Sequence, residues 1–264
     1  MSPFDLSVVD RWSDERTVEV TAAGVEAYAA VVGGPSPVYA VAPAMDLVFA
    51  VAEAAVPAEL RARVVHGQED LVFHRPLPVG EKVTLRAAVV GLHGKGSGTT
   101  ATIKVETRDA AGQLVNEQYV TEFYRGVPTD LAAGSAAPPL PREPLDGPPL
   151  HTATTPLPPD LPRQYADASG DHNPIHLDDD FARAAGLPGV IVHGLASLAI
   201  ATGVVLSASG KTGLRRLGCR FTRPVAPGDT LTTRVWAHEG GYRFDAVDGH
   251  DQVVLGSGVA ILTP

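Results

Sequence analysis

Two stretches of this 264-residue chain repeat one pattern: YADASGDHNPIH, from Tyr165 to His176, and YAAVVGGPSPVY, from Tyr28 to Tyr39, hold tyrosine, alanine, glycine and proline in register 137 residues apart. A second pair, FHRPLPVGEKVTL from Phe73 and FTRPVAPGDTLTT from Phe221, lies 148 residues apart and shares Arg-Pro followed by glycine and an acidic residue. Two matches in the same order make chance a poor explanation. Whatever fold this chain adopts, it must accommodate two copies of one unit of roughly 120 residues, an ordinary domain size. The offsets differ by eleven residues, so the C-terminal copy carries an insertion of about that length between its polar turn and its Phe-x-Arg-Pro segment.

Composition gives each copy enough material for a core: 44% of residues are hydrophobic and 19% charged, as in a soluble globular protein. The net charge of −9, with no basic run beyond Arg215 and Arg216, argues against a polyanionic partner such as nucleic acid. A lone cysteine, Cys219, excludes an internal disulfide and a multi-cysteine zinc site and fits a reducing compartment. The sequence begins Met1-Ser-Pro-Phe-Asp, with no basic segment leading into an apolar core, so the expectation is a cytoplasmic protein. The most apolar stretch, Val190 to Leu206, is interrupted by His193, Ser197 and Thr202 and falls short of the ~20 apolar residues a membrane span needs. A buried core helix is expected there, with no membrane partner.

Eleven of the 23 prolines lie between Pro128 and Pro162, where missing backbone donors discourage regular pairing. This divides the chain into an N-terminal unit over 1–127, a linker over 128–149 expected to run extended across the surface, and a C-terminal unit over 150–264. In the first unit the pattern predicts a strand at 17–20, a helix capped by Thr21 and ended by Gly33 and Gly34, and a second helix at 44–55. Strands at 71–74, 82–90, 99–108 and 115–124 follow. The second unit repeats the order, with a strand near 151–154, a short helix through Tyr165 and a long helix from about Gly194. Its remaining strands fall at 214–221, 230–238, 242–248 and 253–262. Leu195 to Leu206 is apolar around its circumference, which predicts a helix wrapped by a curved antiparallel sheet.

The candidate chemistry lies in the polar turn. Asp171 and His176 are five residues apart with Pro174 between them, so they belong to a loop and not to one helix face. A loop pinned by Gly170 and Pro174 can direct both side chains at one water molecule, as general acid–base addition or removal of water requires. Asn173 can hold either catalytic group, or the loop itself, in position. The alternative is that Asp171 and Asn173 only stabilise a turn. Against it, Gly34, Ser36 and Tyr39 replace Asp171, Asn173 and His176 in the first copy, which keeps the glycine and proline. A metal site built from Asp171, His172 and His176 is disfavoured by loop geometry, and no metal is expected. Gly194 opens the long helix, where unpaired N–H groups and the dipole favour an oxyanion and no side chain blocks a substrate carbonyl; tight helix packing explains a glycine there equally well. Arg215, Arg216, Arg220 and Arg223 read as a solvated strand face, and Cys219 as core packing.

YADASGDHNPIH followed by IVHGLASL resembles the MaoC-like hydratases and dehydratases, also called hydratase 2. The resemblance implies an α+β double hotdog: two antiparallel sheets, each wrapped around a long central helix and paired within the chain as a pseudo-dimer, with the N-terminal copy degenerate. A further homodimer of such chains is compatible with it. The implied reaction is reversible syn addition of water to a trans-2-enoyl thioester of CoA or acyl carrier protein, giving the (3R)-hydroxyacyl thioester. Asp171 and His176 match the family's catalytic pair, Gly194 its backbone donor to the thioester carbonyl, and Asn173 the motif's amide, assigned to positioning. No cofactor is implied. The small residues Gly33, Gly34 and Ala44 suggest room for an acyl tail beside the degenerate turn. Two rivals share the fold class: an acyl-thioester hydrolase, and a non-catalytic acyl-CoA-binding or partner subunit.

Overall fold

The computed structural model describes residues 3–263. In chain order the elements are β1 (Arg16–Glu19), α1 (Ala22–Val32), a 3-10 segment (Pro37–Ala44), α2 (Met45–Ala55), β2 (Val64–Phe73), β3 (Lys82–Lys95), β4 (Gly98–Arg108), β5 (Leu114–Arg125) and β6 (Ala132–Gly134). They continue with β7 (His151–Pro156), α3 (Leu161–Ser169), a 3-10 turn (Pro174–His176), α4 (Asp179–Ala184), α5 (Gly194–Ser209), β8 (Leu214–Phe221), β9 (Thr230–His238), β10 (Gly241–Val247) and β11 (Val253–Leu262). Most elements fall where the apolar patterning places them. β2 begins well before the expected Leu71, because the buried Glu69 and Asp70 break the apolar pattern inside the strand. Helix α4 lies in the region of the eleven-residue insertion and has no counterpart in the first copy.

These elements form two compact units, and the division is not the one expected from the sequence. One unit gathers the chain up to Val20 with Pro43–Pro139; the other gathers Thr21–Ala42 with the chain from Leu140 onward. Residues 21–42 therefore belong with the C-terminal copy rather than with an N-terminal domain of 1–127. Their helix packs on its own repeat equivalent: α1 lies against α3, and the hydroxyls of Tyr28 and Tyr165, both fully buried, meet at 3.0 Å.

In the first unit an antiparallel sheet runs β1-β3-β4-β5-β2. Helix α2 lies against β3 and β4 and buries a stripe of Met45, Val48, Ala52 and Ala55, the three-to-four spacing of a one-sided helix. By length and composition alone, Pro37–Ala55 suffices to cross a membrane, with mean hydropathy 1.6; in the fold it is the 3-10 segment running into this core helix. The proline-rich segment is not simply extended across the surface. Its β6 pairs with β3, through Gly94 N–H to the Leu131 carbonyl at 2.8 Å and Ser135 N–H to the Val90 carbonyl at 2.6 Å. Further along, the Trp236 indole N–H donates to the Gly147 carbonyl at 3.0 Å and the buried Arg243 donates to the Glu143 carbonyl at 3.3 Å.

In the second unit the sheet runs β8-β11-β10-β9-β7, antiparallel throughout, and α5 lies against β7, β9, β10 and β11. Every residue from Leu195 to Thr202 is buried, as the all-round apolar sequence requires; beyond it, Gly203 and Ser207 open one face to solvent. Ser197 and Thr202 enter this core by donating their hydroxyls back to the carbonyls of His193 and Leu198, at 3.4 and 2.7 Å. A sheet curled around an apolar helix thus occurs once in each unit.

Candidate active site

The site lies in the second unit, between the end of α3 and the start of α5. Helix α3 ends at Gly170, whose φ of +80° lies in the left-handed region that favours glycine. The Ser169 hydroxyl then accepts the Asp171 N–H at 3.2 Å, Asp171 Oδ1 accepts the Asn173 N–H at 3.2 Å, and Asn173 Oδ1 accepts the Ile175 N–H at 3.3 Å. These short side-chain acceptors fold 169–175 into consecutive tight turns. The Asn173 amide thus holds the loop itself. His176, at the end of the 3-10 turn, is buried, and its ring returns beside Asp171.

A third residue completes the cluster. Asp171, His176 and His193 each offer one ligand-type atom, all within 4.8 Å of one another, a set able to hold a metal ion. His172, weighed for such a set from sequence, is instead exposed, and His193 stands in its place. The two imidazoles stack with centroids 3.7 Å apart and planes at 24°. His176 Nδ1 lies 2.9 Å from the Ile191 carbonyl and His193 Nε2 lies 3.0 Å from the Asp171 carbonyl. A carbonyl only accepts, so these nitrogens carry the protons of the neutral rings, leaving lone pairs on His176 Nε2 and His193 Nδ1. Burial pushes the His176 pKa below its ordinary value, against the pull of the Asp171 charge and the Ile191 hydrogen bond. Burial also pushes His193 down, to about 4, helped by the neighbouring His176 and opposed by Asp171. Both rings are neutral at pH 7.

Gly194 is the first residue of α5, and the His193 side chain does not cap this helix. The first-turn N–H groups have no acceptor within the helix and present its positive dipole end. Close packing also demands glycine here: a Cβ on residue 194 would lie 2.8 Å from Cδ1 of Phe221. The two explanations weighed from sequence are therefore compatible. His176 also lines a cavity of about 250 Å³ with Pro162, Arg163, Leu177, Val190 and Pro227.

A model of the MaoC like domain matches residues 141–255, and a model of the MFE-2 hydratase 2 N-terminal domain matches residues 34–126. The chain carries a MaoC like domain and an MFE-2 hydratase 2 N-terminal domain. It is similar to 3-hydroxyacyl-thioester dehydratase Y of Mycobacterium tuberculosis, 33% identical over 68% of this chain and 64% of the relative. It is also similar to peroxisomal enoyl-CoA hydratase 2 of Arabidopsis thaliana, 29% identical over 66% of this chain and 60% of the relative. The chain thus spans just under two thirds of these relatives' lengths. A crystal structure of a MaoC-like dehydratase from Phytophthora capsici superposes with a TM-score of 0.85 at 22% identity, covering 98% of each chain. The fold is accordingly a double hotdog.

The MaoC like match contains Asp171, Asn173, His176, His193 and Gly194, while the hydratase 2 N-terminal match begins at Gly34 and takes in Ser36 and Tyr39. Within this MaoC-like site the structure brings Asp171 and His176 together as expected and sets Gly194 at the helix start. The sequence does not mark His193 as a site residue, because it precedes the helix in an apolar run; its one signal is a histidine amid residues that need no polarity. The small residues of the first copy also have a backbone cause: Gly33 ends α1 at φ +85° and Gly34 follows at φ +150°. Cys219 is buried in β8, and Arg215 and Arg220 are exposed on the same strand.

Proposed function

We propose that this chain catalyses reversible hydration of a trans-2-enoyl thioester, carried on CoA or acyl carrier protein, to the (3R)-hydroxyacyl thioester. The observation that carries the proposal is the meeting of Asp171 and His176 beside a helix N-terminus that opens with glycine. The named relatives support the same reaction class. A neutral His176 with its Nδ1–H held by Ile191 has Nε2 available to take a proton from water, while Asp171 shares in holding that water. The oxygen attacks C3 as the unpaired N–H groups at the start of α5 take up charge developing on the thioester oxygen. The pair then returns a proton to C2. Neither a metal nor a redox group is required, so a chelator is expected to leave the rate unchanged.

The deciding measurement follows the ultraviolet absorbance of crotonyl-CoA with purified protein, with a thiol reagent in parallel and Asp171→Asn as control. Loss of the enoyl absorbance without thiol release, abolished in the variant, is the expected outcome. Thiol release identifies a hydrolase instead. Binding without turnover, for short and long acyl chains alike, identifies a binding subunit.

A further inference from the structure

We propose that His193 is a positioning residue of this site, tying the Asp171 turn to the start of α5 and backing the His176 ring. The proposal rests on the hydratase reading for its catalytic consequence and on geometry for everything else. His193 immediately precedes Gly194, so its backbone belongs to the helix end where the substrate carbonyl would be polarised. Its side chain reaches back 22 residues to donate Nε2–H to the Asp171 carbonyl at 3.0 Å. The Asp171 N–H is held from the other side by Ser169 Oγ at 3.2 Å. Asp171 is thereby gripped at both its peptide groups, and one of the two grips comes from the element that carries the oxyanion site.

The same ring constrains His176. Among the described residues that side chain has one hydrogen bond fixing its rotation, Nδ1–H to Ile191, and its ring stacks on His193 at 3.7 Å. His193 also meets the buried Tyr165 ring, with centroids 4.8 Å apart. The ring contacts of His193 thus run to Tyr165 in α3 and to the reacting group His176. A ring retained for packing alone would be better apolar. His193 is 1% exposed and its Nδ1 has no hydrogen-bond partner among the described residues, a cost that an apolar ring avoids. Its Nε2–H is the function that offsets that cost.

Water addition needs this coupling because the attacked C3 and the thioester oxygen belong to one rigid conjugated unit. The water-holding pair and the helix N-terminus must keep one separation, and a misplacement of about 1 Å costs as much as ~10²-fold in rate. A side chain joining the two parts sets that separation directly.

Three substitutions and two readouts test the role. His193→Phe keeps a stacked ring and deletes the donor; His193→Gln returns a donor near the place of Nε2; His193→Asn is too short to reach the Asp171 carbonyl. The expected result is a kcat reduced on the order of 10- to 100-fold in the Phe and Asn variants with KM little changed, and substantial recovery in the Gln variant. The second readout needs no turnover: nitrogen NMR of His176 should show a single Nδ1–H tautomer in the native protein and in the Phe variant, which keeps the stacked ring, and tautomer mixing in the Asn variant, which loses both ring and donor. A Phe variant with native kcat, or an Asn variant with a single His176 tautomer, overturns the proposal. So does a Gln variant no better than the Asn variant when both melt at the native temperature. If the native protein fails to hydrate any enoyl thioester, the hydratase reading falls, while the tautomer result still decides whether His193 positions His176.

Discussion

Helix α1 ends at Gly33 with φ +85° and α3 at Gly170 with φ +80°, each cap N–H returning to a helical carbonyl, and the two following turns lie in the same compact unit. Both turns bond alike. Ser36 Oγ accepts the Val38 N–H at 3.3 Å just as Asn173 Oδ1 accepts the Ile175 N–H at 3.3 Å. The Tyr39 N–H donates to the Ser36 carbonyl at 3.2 Å as the His176 N–H donates to the Asn173 carbonyl at 3.0 Å. They part at the flanking positions, where Gly34 and Tyr39 stand for Asp171 and His176. The comparison separates two kinds of polar residue that the aligned sequences treat alike. The shape needs a glycine exit, a proline and one short acceptor, which serine or asparagine supplies; it needs neither the carboxylate nor the imidazole.

The difference extends beyond the turns. Tyr39 lies within the 3-10 segment that runs directly into α2, whereas His176 is followed by α4 and the loop that delivers Ile191 and His193. At the 148-residue offset Gly194 corresponds to Asp46, so the first copy places a carboxylate in the opening turn of its core helix, paired with Arg16 at 2.8 Å. A helix end already occupied by its own acid is a poor oxyanion site. Both halves of the chemistry are therefore missing from one copy and present in the other.

The largest expected effect tests that asymmetry. Asp171→Asn and His176→Ala should each lower kcat/KM by at least roughly 10²-fold, the scale of general acid–base catalysis, while Tyr39→Phe leaves it near native; steady-state kinetics decide. Equal losses in both copies would break the comparison.

The next effect is the pH dependence of stability that His176 and His193 contribute, which the first copy's turn lacks because Tyr39 and Met45 occupy their places. Both histidines are held neutral in the fold, so the unfolded chain binds their protons more readily. Stability should be full above the ordinary histidine value of 6.5 and fall as pH drops toward about 4, by on the order of 2–3 kcal/mol. Denaturant melts at pH 7 and pH 4.5 measure it, and His193→Phe should flatten the dependence.

Gly194→Ala should cost roughly 1–3 kcal/mol in a thermal melt, because its Cβ meets the Phe221 ring. The smallest effect sharpens the turn comparison: Asn173→Ser should leave both stability and rate near native, within about 1 kcal/mol, because Ser36 already performs that bond in the first copy. A large catalytic loss in Asn173→Ser would give the amide a role beyond the turn.

Much of the architecture was legible because local backbone demands leave local marks. Gly33 and Gly170 mark left-handed helix ends, alternating residues mark β9, and an all-round apolar run marks the buried start of α5. β2 was partly hidden because buried carboxylates interrupt its pattern, and the placement of residues 21–42 was hidden because no local property says which sheet a helix packs on. Asp171 and His176 were visible as candidates since no turn requires them. His193 was not, because its value lies in reaching Asp171 across 22 residues.

The sequence by itself determined that the unit is duplicated, that one polar turn kept reactive groups the other lacks, and that about eleven residues separate the two offsets. Only the tertiary structure decided what that added length does. It carries the chain from His176 through α4 to the Ile191 carbonyl, which fixes the His176 tautomer, and to His193, which bonds Asp171 and stacks on His176. Offsets are recorded along the chain, but a hydrogen bond that sets a tautomer depends on the distance between atoms brought together by packing, and that distance is written in no single segment.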